Sequence, residues 1–188
     1  EYYDYQGKYE YQPSITESLV VQAIGSRDKA GIKFDEDSDE LAQDPGLDGG
    51  LNVERYFNSQ AIVWDKIYGN GLQQKTGFSQ LEEKFQFAIG RSNYVNVKTN
   101  NYEIRSQFSK PLNLYHDLQW GAELSESHAS LKGRYSGPPC DEYNPDCRII
   151  DGDEVVSLNE KVVITSINLH LADSWQATEY WTLNPGVL

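Results

Sequence analysis

Hydrophobic and polar residues alternate one by one along several stretches of this chain. The alternation is regular between Asn101 and Lys110, and it resumes at Asp117 after a polar break. Strict alternation over about eight residues predicts a β-strand, because successive side chains leave opposite faces of a sheet. Pro111 and Asn113 supply the turn between the two stretches. The two segments are therefore predicted to form a long antiparallel hairpin with one apolar and one polar face.

The same alternation recurs along most of the chain and predicts an all-β antiparallel meander. The predicted strands lie near residues 2–12, 18–33, 55–68, 74–90, 101–110, 117–134, 161–172 and 179–188. Residues 91–100 are interpreted as a medium loop or an extension of the strand that follows. Four tight turns then alternate with three longer connections, so one end of the sheet carries tight turns and the other carries loops. Outer-membrane barrels have this arrangement, and the sequence predicts part of a transmembrane β-barrel with short periplasmic turns and long extracellular loops.

Composition narrows the class of protein. The 188 residues predict a single domain, and the net charge of −13 argues against a nucleic-acid partner. No apolar run approaches the roughly 18 residues of a spanning helix, but a barrel strand is apolar only at alternate positions. The 13 Tyr, 4 Trp and 6 Phe residues suit strands and the aromatic girdles of a membrane interface.

Two polar loops contain residues that could have special chemistry. Cys140 and Cys147 lie in a proline-rich loop without a Cys or His partner at zinc-like spacing, so a disulfide is predicted, with free thiols as the alternative. Such a bond would stabilise the loop by roughly 2–3 kcal/mol. The acidic run from Asp35 to Glu40 begins like a calcium loop, but Glu40 and Gly46 occupy the positions that need Gly and Glu. It is interpreted as a solvated loop, and whether it binds a cation stays open.

Several segments resemble TonB-dependent outer-membrane receptors. The stretch Tyr3-Asp4-Tyr5-Gln6-Gly7-Lys8-Tyr9-Glu10-Tyr11, followed by Gly25-Ser26-Arg27-Asp28-Lys29, resembles the early barrel strands of that family. Residues Tyr102 to Phe108, with His116-Asp117-Leu118-Gln119-Trp120-Gly121-Ala122-Glu123, are similar to a recurrent hairpin of the family. Trp181-Thr182-Leu183-Asn184-Pro185-Gly186 is similar to a later strand.

The resemblance implies a barrel of about 22 strands that is closed by an N-terminal plug. Such receptors import scarce nutrients, such as iron–siderophore complexes, haem, cobalamin or glycans, and are powered through TonB. About eight strands and no plug are recognised between residues 1 and 188. The chain is therefore expected to be an internal piece of such a barrel wall, with TonB acting through a plug outside these residues.

Candidate site residues fall into two groups of opposite parity. The lipid-facing group is predicted to be Tyr3, Tyr5, Tyr9, Tyr11, Phe85, Phe87, Leu118, Trp120, Ala122 and Leu124. The lumen-facing group is predicted to be Asp4, Lys8, Glu10, Lys84, Glu103, Arg105, Gln119 and Glu123. The physical basis is that a Lys or Arg on the lipid face near the midplane costs roughly 2–4 kcal/mol. No catalytic or metal-ligand spacing stands out, so no enzyme activity and no cofactor are expected, and His116, His128 and His170 are interpreted as structural.

Transport of a scarce nutrient across the bacterial outer membrane is the first functional hypothesis. Its partners would be outer-membrane lipid, a small-molecule nutrient and, through the plug, TonB. A second hypothesis is a secreted or surface β-protein that binds a glycan or a protein partner through its aromatic faces. A third is a complete eight-stranded barrel enzyme or adhesin, but its narrow interior would have to pack and pair the charges of the polar face. A membrane barrel needs detergent for extraction, and a secreted binder does not.

Overall fold

The computed structural model describes residues 1–35, 37–43, 47–136 and 155–187, which form one antiparallel sheet. Its strands are β1 (Tyr2–Ser14), β2 (Glu17–Ile32), β3 (Leu51–Ile67), β4 (Gln73–Ile89), β5 (Asn93–Pro111), β6 (His116–Ser136), β7 (Val155–Gln176), β8 (Thr182–Leu183) and β9 (Gly186–Val187). Each of the first seven strands pairs with the next one in the chain, and β8 and β9 both pair with β7. The all-β antiparallel meander predicted from the sequence is confirmed.

Helical structure is minor in the described part of the chain. A five-residue helix, α1 (Asp39–Gln43), lies in the connection between β2 and β3. Within the described residues, no helix has the length and apolar character needed to cross a membrane.

The connection between β4 and β5 distinguishes the two interpretations of residues 91–100, and the strand extension is confirmed over the medium loop. Strand β5 begins at Asn93, so residues 91–100 are mostly an extension of the strand and the connection at 90–92 is tight. Gly90 takes a φ of 62° there, a left-handed conformation that glycine adopts without a steric penalty. The end of the sheet that was predicted to carry three longer connections therefore carries two, at residues 33–50 and 137–154. This end is called the long-loop end below, and the other is the short-turn end.

The predicted eighth strand is also wrong in its extent. In place of one strand at 179–188, the chain forms β8 and β9 with Asn184 and Pro185 between them. Proline has no N–H to donate to the ladder, so it interrupts pairing at this position. The Pro185 carbonyl still accepts a hydrogen bond from the Asp173 N–H at 2.9 Å.

The sheet is a single layer without a hydrophobic core. Among the described residues, no hydrophobic side chain is buried. Within the same part of the chain the sheet is open, because β1 pairs only with β2 and forms one edge. A sheet must bury its apolar face against another surface to be stable. The described strands therefore form neither a two-layer sandwich nor a closed small barrel, and their apolar face needs a partner outside this sheet.

The strands are much longer than a membrane requires. Strand β7 has 22 residues, whereas a tilted strand crosses the hydrocarbon layer in about 9–11 residues. A strand of this length passes through more than one environment, so the polarity of each face can change along it.

Candidate functional site

The pairing register defines the two faces of the sheet. Residues directly opposite each other in an antiparallel pair project to the same side. The face that carries Tyr3, Tyr5, Tyr9 and Tyr11 is called the tyrosine face, and the face that carries Asp4, Lys8, Glu103 and Arg105 is called the Arg105 face. Following the register from β1 to β7 assigns every strand residue to one of them.

Most residues of the two predicted groups do share a face. Besides the four tyrosines, the tyrosine face carries Leu118, Trp120, Ala122 and Leu124. The Arg105 face also carries Glu10, Gln119 and Glu123. The register shows only which residues share a face. Which face contacts lipid and which lines the lumen stays a prediction.

Strand β4 contradicts the predicted grouping. Lys84 lies opposite Tyr56 on the tyrosine face, whereas Phe85 and Phe87 lie on the Arg105 face opposite Arg55 and Val53. The prediction that Phe85 and Phe87 share a face with Trp120, and that Lys84 shares one with Arg105, is therefore wrong. These three residues lie toward the long-loop end. There the tyrosine face carries the charged Lys84, and the Arg105 face carries the apolar Phe85 and Phe87.

One register row of the tyrosine face is apolar across seven strands. This apolar row consists of Tyr9, Val21, Ile62, Phe78, Ile104, Leu124 and Ile167. All seven side chains are exposed, including Phe78 at 47% and Ile104 at 49%. Nothing in the described chain covers them, so the tyrosine face is not packed on a second sheet.

The neighbouring row of the Arg105 face has the opposite character. It consists of Lys8, Gln22, Ala61, Ser79, Glu103, Ser125 and Ser166. Hollows of about 180 Å³ and 510 Å³ lie nearby and are lined mainly by residues of this face, among them Lys75 and Gln107. A polar, hollowed face opposite an apolar one is the arrangement of a barrel wall with a solvated interior.

Arg105 is at the centre of a polar network on this face. Its Nε donates a hydrogen bond to Glu123 Oε2 at 2.7 Å, and its Nη2 lies 3.1 Å from Glu103 Oε1. Asn168 Nδ2 donates to the other oxygen of Glu123 at 3.1 Å. About half of the Arg105 side chain is exposed, so these charges are paired and still solvated. The network can therefore persist without a ligand or a partner domain.

Aromatic side chains with polar partners gather at the short-turn end. Trp64 Nε1 donates a hydrogen bond to Glu17 Oε1 at 2.8 Å, and Lys66 Nζ lies 5.5 Å from the centroids of both the Trp64 and Tyr68 rings. Trp175 stacks on His116 with centroids 5.8 Å apart. Rings with one apolar and one hydrogen-bonding side suit the boundary between lipid and water.

The three histidines have neighbours within the described chain. His116 Nδ1 lies 2.6 Å from Asp173 Oδ2, and His128 contacts Glu126 and meets the Tyr102 ring edge-on. The His170 ring covers Gly121, where an added Cβ would lie 2.4 Å from His170 Cε1. Within the described ranges, no group of three potential metal ligands occurs. Cys140 and Cys147 lie outside the described residues, as does part of the acidic run that begins at Asp35.

A charged cluster on the tyrosine face was missed by sequence reasoning. Glu54 lies 2.8 Å from Arg27, 3.6 Å from Lys29 and 3.8 Å from Lys84, all measured between nitrogen and carboxylate oxygen atoms. These residues come from three strands, so no local pattern brings them together. The short connection at residues 68–72 was the available clue, because a tight turn limits the register of β3 and β4 and so places Lys84 near Glu54.

Comparison with known proteins identifies a solved structure of similar fold. No family model matches the chain, and no curated protein does. Among solved structures, the chain is similar to the crystal structure of the ferric-catecholate import receptor Fiu from E. coli K12, in its open form, with a TM-score of 0.65. The likeness shows the fold. It covers 94% of this chain at 9% identity, and the chain spans only 33% of that receptor. The meander therefore has the architecture of a barrel-wall segment.

Proposed function

We propose that this chain forms part of the barrel wall of an outer-membrane receptor that actively transports a scarce nutrient. The tyrosine face would contact lipid, and the Arg105 face would line a solvated lumen. The rest of the barrel and a plug coupled to TonB would come from residues outside this chain. The Fiu likeness and the resemblance to TonB-dependent receptors support this class, and ferric complexes and haem are the first nutrients to test.

The apolar row is the observation that carries the proposal. It crosses seven strands and so extends for about 30 Å at the usual strand spacing. A soluble protein rarely exposes so wide a continuous apolar surface, since water makes it prone to aggregate. Lipid covers such a surface without a specific partner, and the polar row behind it stays hydrated in the lumen.

The Arg105 face supports a lumen with two zones. Around Arg105 it is polar and charged, as a hydrated passage requires. Toward the long-loop end it becomes partly apolar, where a hollow of about 410 Å³ is lined by Phe57, Phe85 and Val97 together with the charged Arg55 and Glu83. A mixed apolar and charged surface suits contact with a nutrient or with other parts of the receptor.

Fractionation and growth assays test the proposal. The full-length protein, expressed in its own host, should sediment with the outer membrane and require detergent for extraction. A strain that lacks the gene should lose growth on one scarce nutrient, such as a ferric siderophore complex or haem, and regain it when the gene is restored. Extraction in buffer without detergent would instead favour the secreted or surface binder, for which the exposed tyrosines of β1 would be the binding face.

A further inference from the structure

A second register row of the tyrosine face is rich in positive charge. This cationic row consists of Tyr3, Arg27, Tyr56, Lys84, Lys98, Ser130 and Lys161. It runs parallel to the apolar row, six residues farther along each strand toward the long-loop end. Each of its four cations lies on the long-loop side of the apolar residues of its own strand. Lys161, for example, lies closer to the long-loop end than Val163, the neighbouring residue of β7 on this face.

The charge of this region is opposite to that of the whole chain. The chain has a net charge of −13. On the tyrosine face beyond the apolar row, the described strand residues include seven cations, Arg27, Lys29, Lys84, Lys98, Lys132, Arg134 and Lys161. The same region includes three carboxylates, Glu54, Glu82 and Glu126. Positive charge is therefore concentrated where an anionic partner could reach it.

Two lysines of the row are direct neighbours. Lys84 and Lys98 are register partners on adjacent strands, and like charges directly opposite each other destabilise a sheet. Each is partly neutralised by an acid, since Lys98 Nζ lies 2.7 Å from Glu82 and Lys84 Nζ lies 3.8 Å from Glu54. An anion bound between the two ammonium groups would remove the remaining repulsion. The pair therefore offers an anion two adjacent ammonium groups on one face of the sheet.

The distance between the two rows fits a membrane surface. Six residues correspond to about 20 Å along a strand, and to about 15 Å along the axis of a barrel whose strands tilt by about 40°. The tyrosine-face rows between the two are polar and include Gln60, Gln80 and Glu126, then Asn58, Glu82 and Asn100. If lipid tails cover the apolar row, the hydrocarbon layer therefore ends within these rows, and the cationic row lies at the level of the lipid headgroups.

We propose that the cationic row binds the phosphate groups of lipids in the membrane leaflet at the long-loop end. The inference rests on the proposed function, because it requires the tyrosine face to contact lipid. Lys84 and Lys98 hold the phosphate between them, and Arg27 and Lys161 extend the site to neighbouring headgroups. Basic patches on the surfaces of membrane proteins recognise anionic headgroups in this way.

Binding of lipid A to the full-length protein in detergent tests this proposal. Its two phosphates make diphosphoryl lipid A the probe, and the fully dephosphorylated lipid is the control ligand. The double variant Lys84→Gln and Lys98→Gln should lower the affinity for diphosphoryl lipid A about thirtyfold, at the usual contribution of a basic residue near an anionic surface. It should not change the affinity for the dephosphorylated lipid. A charge-matched control, Lys75→Gln with Lys110→Gln, removes two lysines outside the row and should leave both affinities within twofold of wild type.

Two further measurements keep the result decisive. Lys161→Gln leaves the ion pairs of Glu54 and Glu82 intact, so it is the variant to use if the double variant fails to fold. It should lower the affinity for diphosphoryl lipid A about fivefold. Equal affinity of wild type for the two lipids, or equal losses in the double variant and its control, would overturn the proposal. So would complete displacement of lipid A by millimolar inorganic phosphate, which would identify a site for free phosphate. A protein that leaves the membrane without detergent would instead refute the proposed function.

Discussion

The indole ring of Trp120 lies stacked on the phenyl ring of Phe108, with centroids 5.4 Å apart and an angle of 12° between the ring planes. The two residues are register partners on β5 and β6 and belong to the tyrosine face. Gln119, the residue before Trp120, belongs to the Arg105 face and is exposed. Two adjacent positions of one strand therefore face different environments, and they can be compared by the same substitution.

Trp120→Arg is expected to destabilise the folded receptor far more than Gln119→Arg. On the lipid side an arginine costs roughly 2–4 kcal/mol at the midplane and less toward the boundary, where Trp120 shares a register row with Lys66, and the loss of the ring pair adds to this cost. On the lumen side the new arginine stays hydrated. Urea unfolding of the full-length protein refolded into vesicles measures both changes. Equal tolerance of the two substitutions would contradict the membrane assignment of the faces.

Single-cysteine labelling tests the revised faces of β4 directly. In a background without Cys140 and Cys147, a fluorophore is attached at Ile104→Cys, Phe85→Cys or Ser79→Cys. Brominated lipid tails should quench the label at position 104 and leave the labels at 85 and 79 bright, because the latter two residues lie on the Arg105 face. Strong quenching at position 85 would mean that the register of β4 in the membrane differs from the one described.

Glu54→Gln should destabilise the protein by about 1–2 kcal/mol, because it leaves Arg27, Lys29 and Lys84 without their shared carboxylate. Only 16% of the Glu54 side chain is exposed, so water replaces the lost partner poorly. Glu10→Gln is the control, since Glu10 forms one exposed ion pair, with Lys8. Chemical unfolding at low and high salt checks the result, and the difference between the variants should shrink as salt screens the charges.

Gly121→Ala should destabilise the sheet by about 1–3 kcal/mol through overpacking. The added Cβ would lie 2.4 Å from His170 Cε1 and 2.6 Å from the Ser106 carbonyl oxygen. Because a backbone atom is involved, adding His170→Ala should recover only part of the loss. Gly7→Ala is the control, as nothing lies within 4 Å of its added Cβ. Full recovery in the double variant would show that the histidine ring alone causes the strain.

Cys140 and Cys147 are expected to form a disulfide in protein isolated under oxidising conditions. They are close in a polar, proline-rich segment of the sequence, and the bond would stabilise the loop by roughly 2–3 kcal/mol. Mass spectrometry of an alkylated proteolytic digest checks this, with a reduced sample as the control. Two alkylated thiols in the unreduced sample would contradict the prediction.

Sequence patterns were sufficient for most of the strands and insufficient for the relations between them. Alternation around Tyr9 and Trp120 predicted strands and their two-sided character correctly, because the side-chain period of two is a property of each strand alone. The same rule failed at Phe85, which is as apolar as Trp120 but lies on the other face. Pro185 similarly looked like part of a strand until the pairing partner was known.

The sequence by itself determined the all-β meander, most strand positions and the opposite polarity of neighbouring side chains. Only the tertiary structure decided which side chains of different strands form a row, such as Phe78 with Ile104 or Lys84 with Lys98. It also decided that the tyrosine face is uncovered in the described chain. The physical reason is that register depends on turn lengths and on hydrogen bonds between residues far apart in sequence, and a shift of one residue would exchange the two faces.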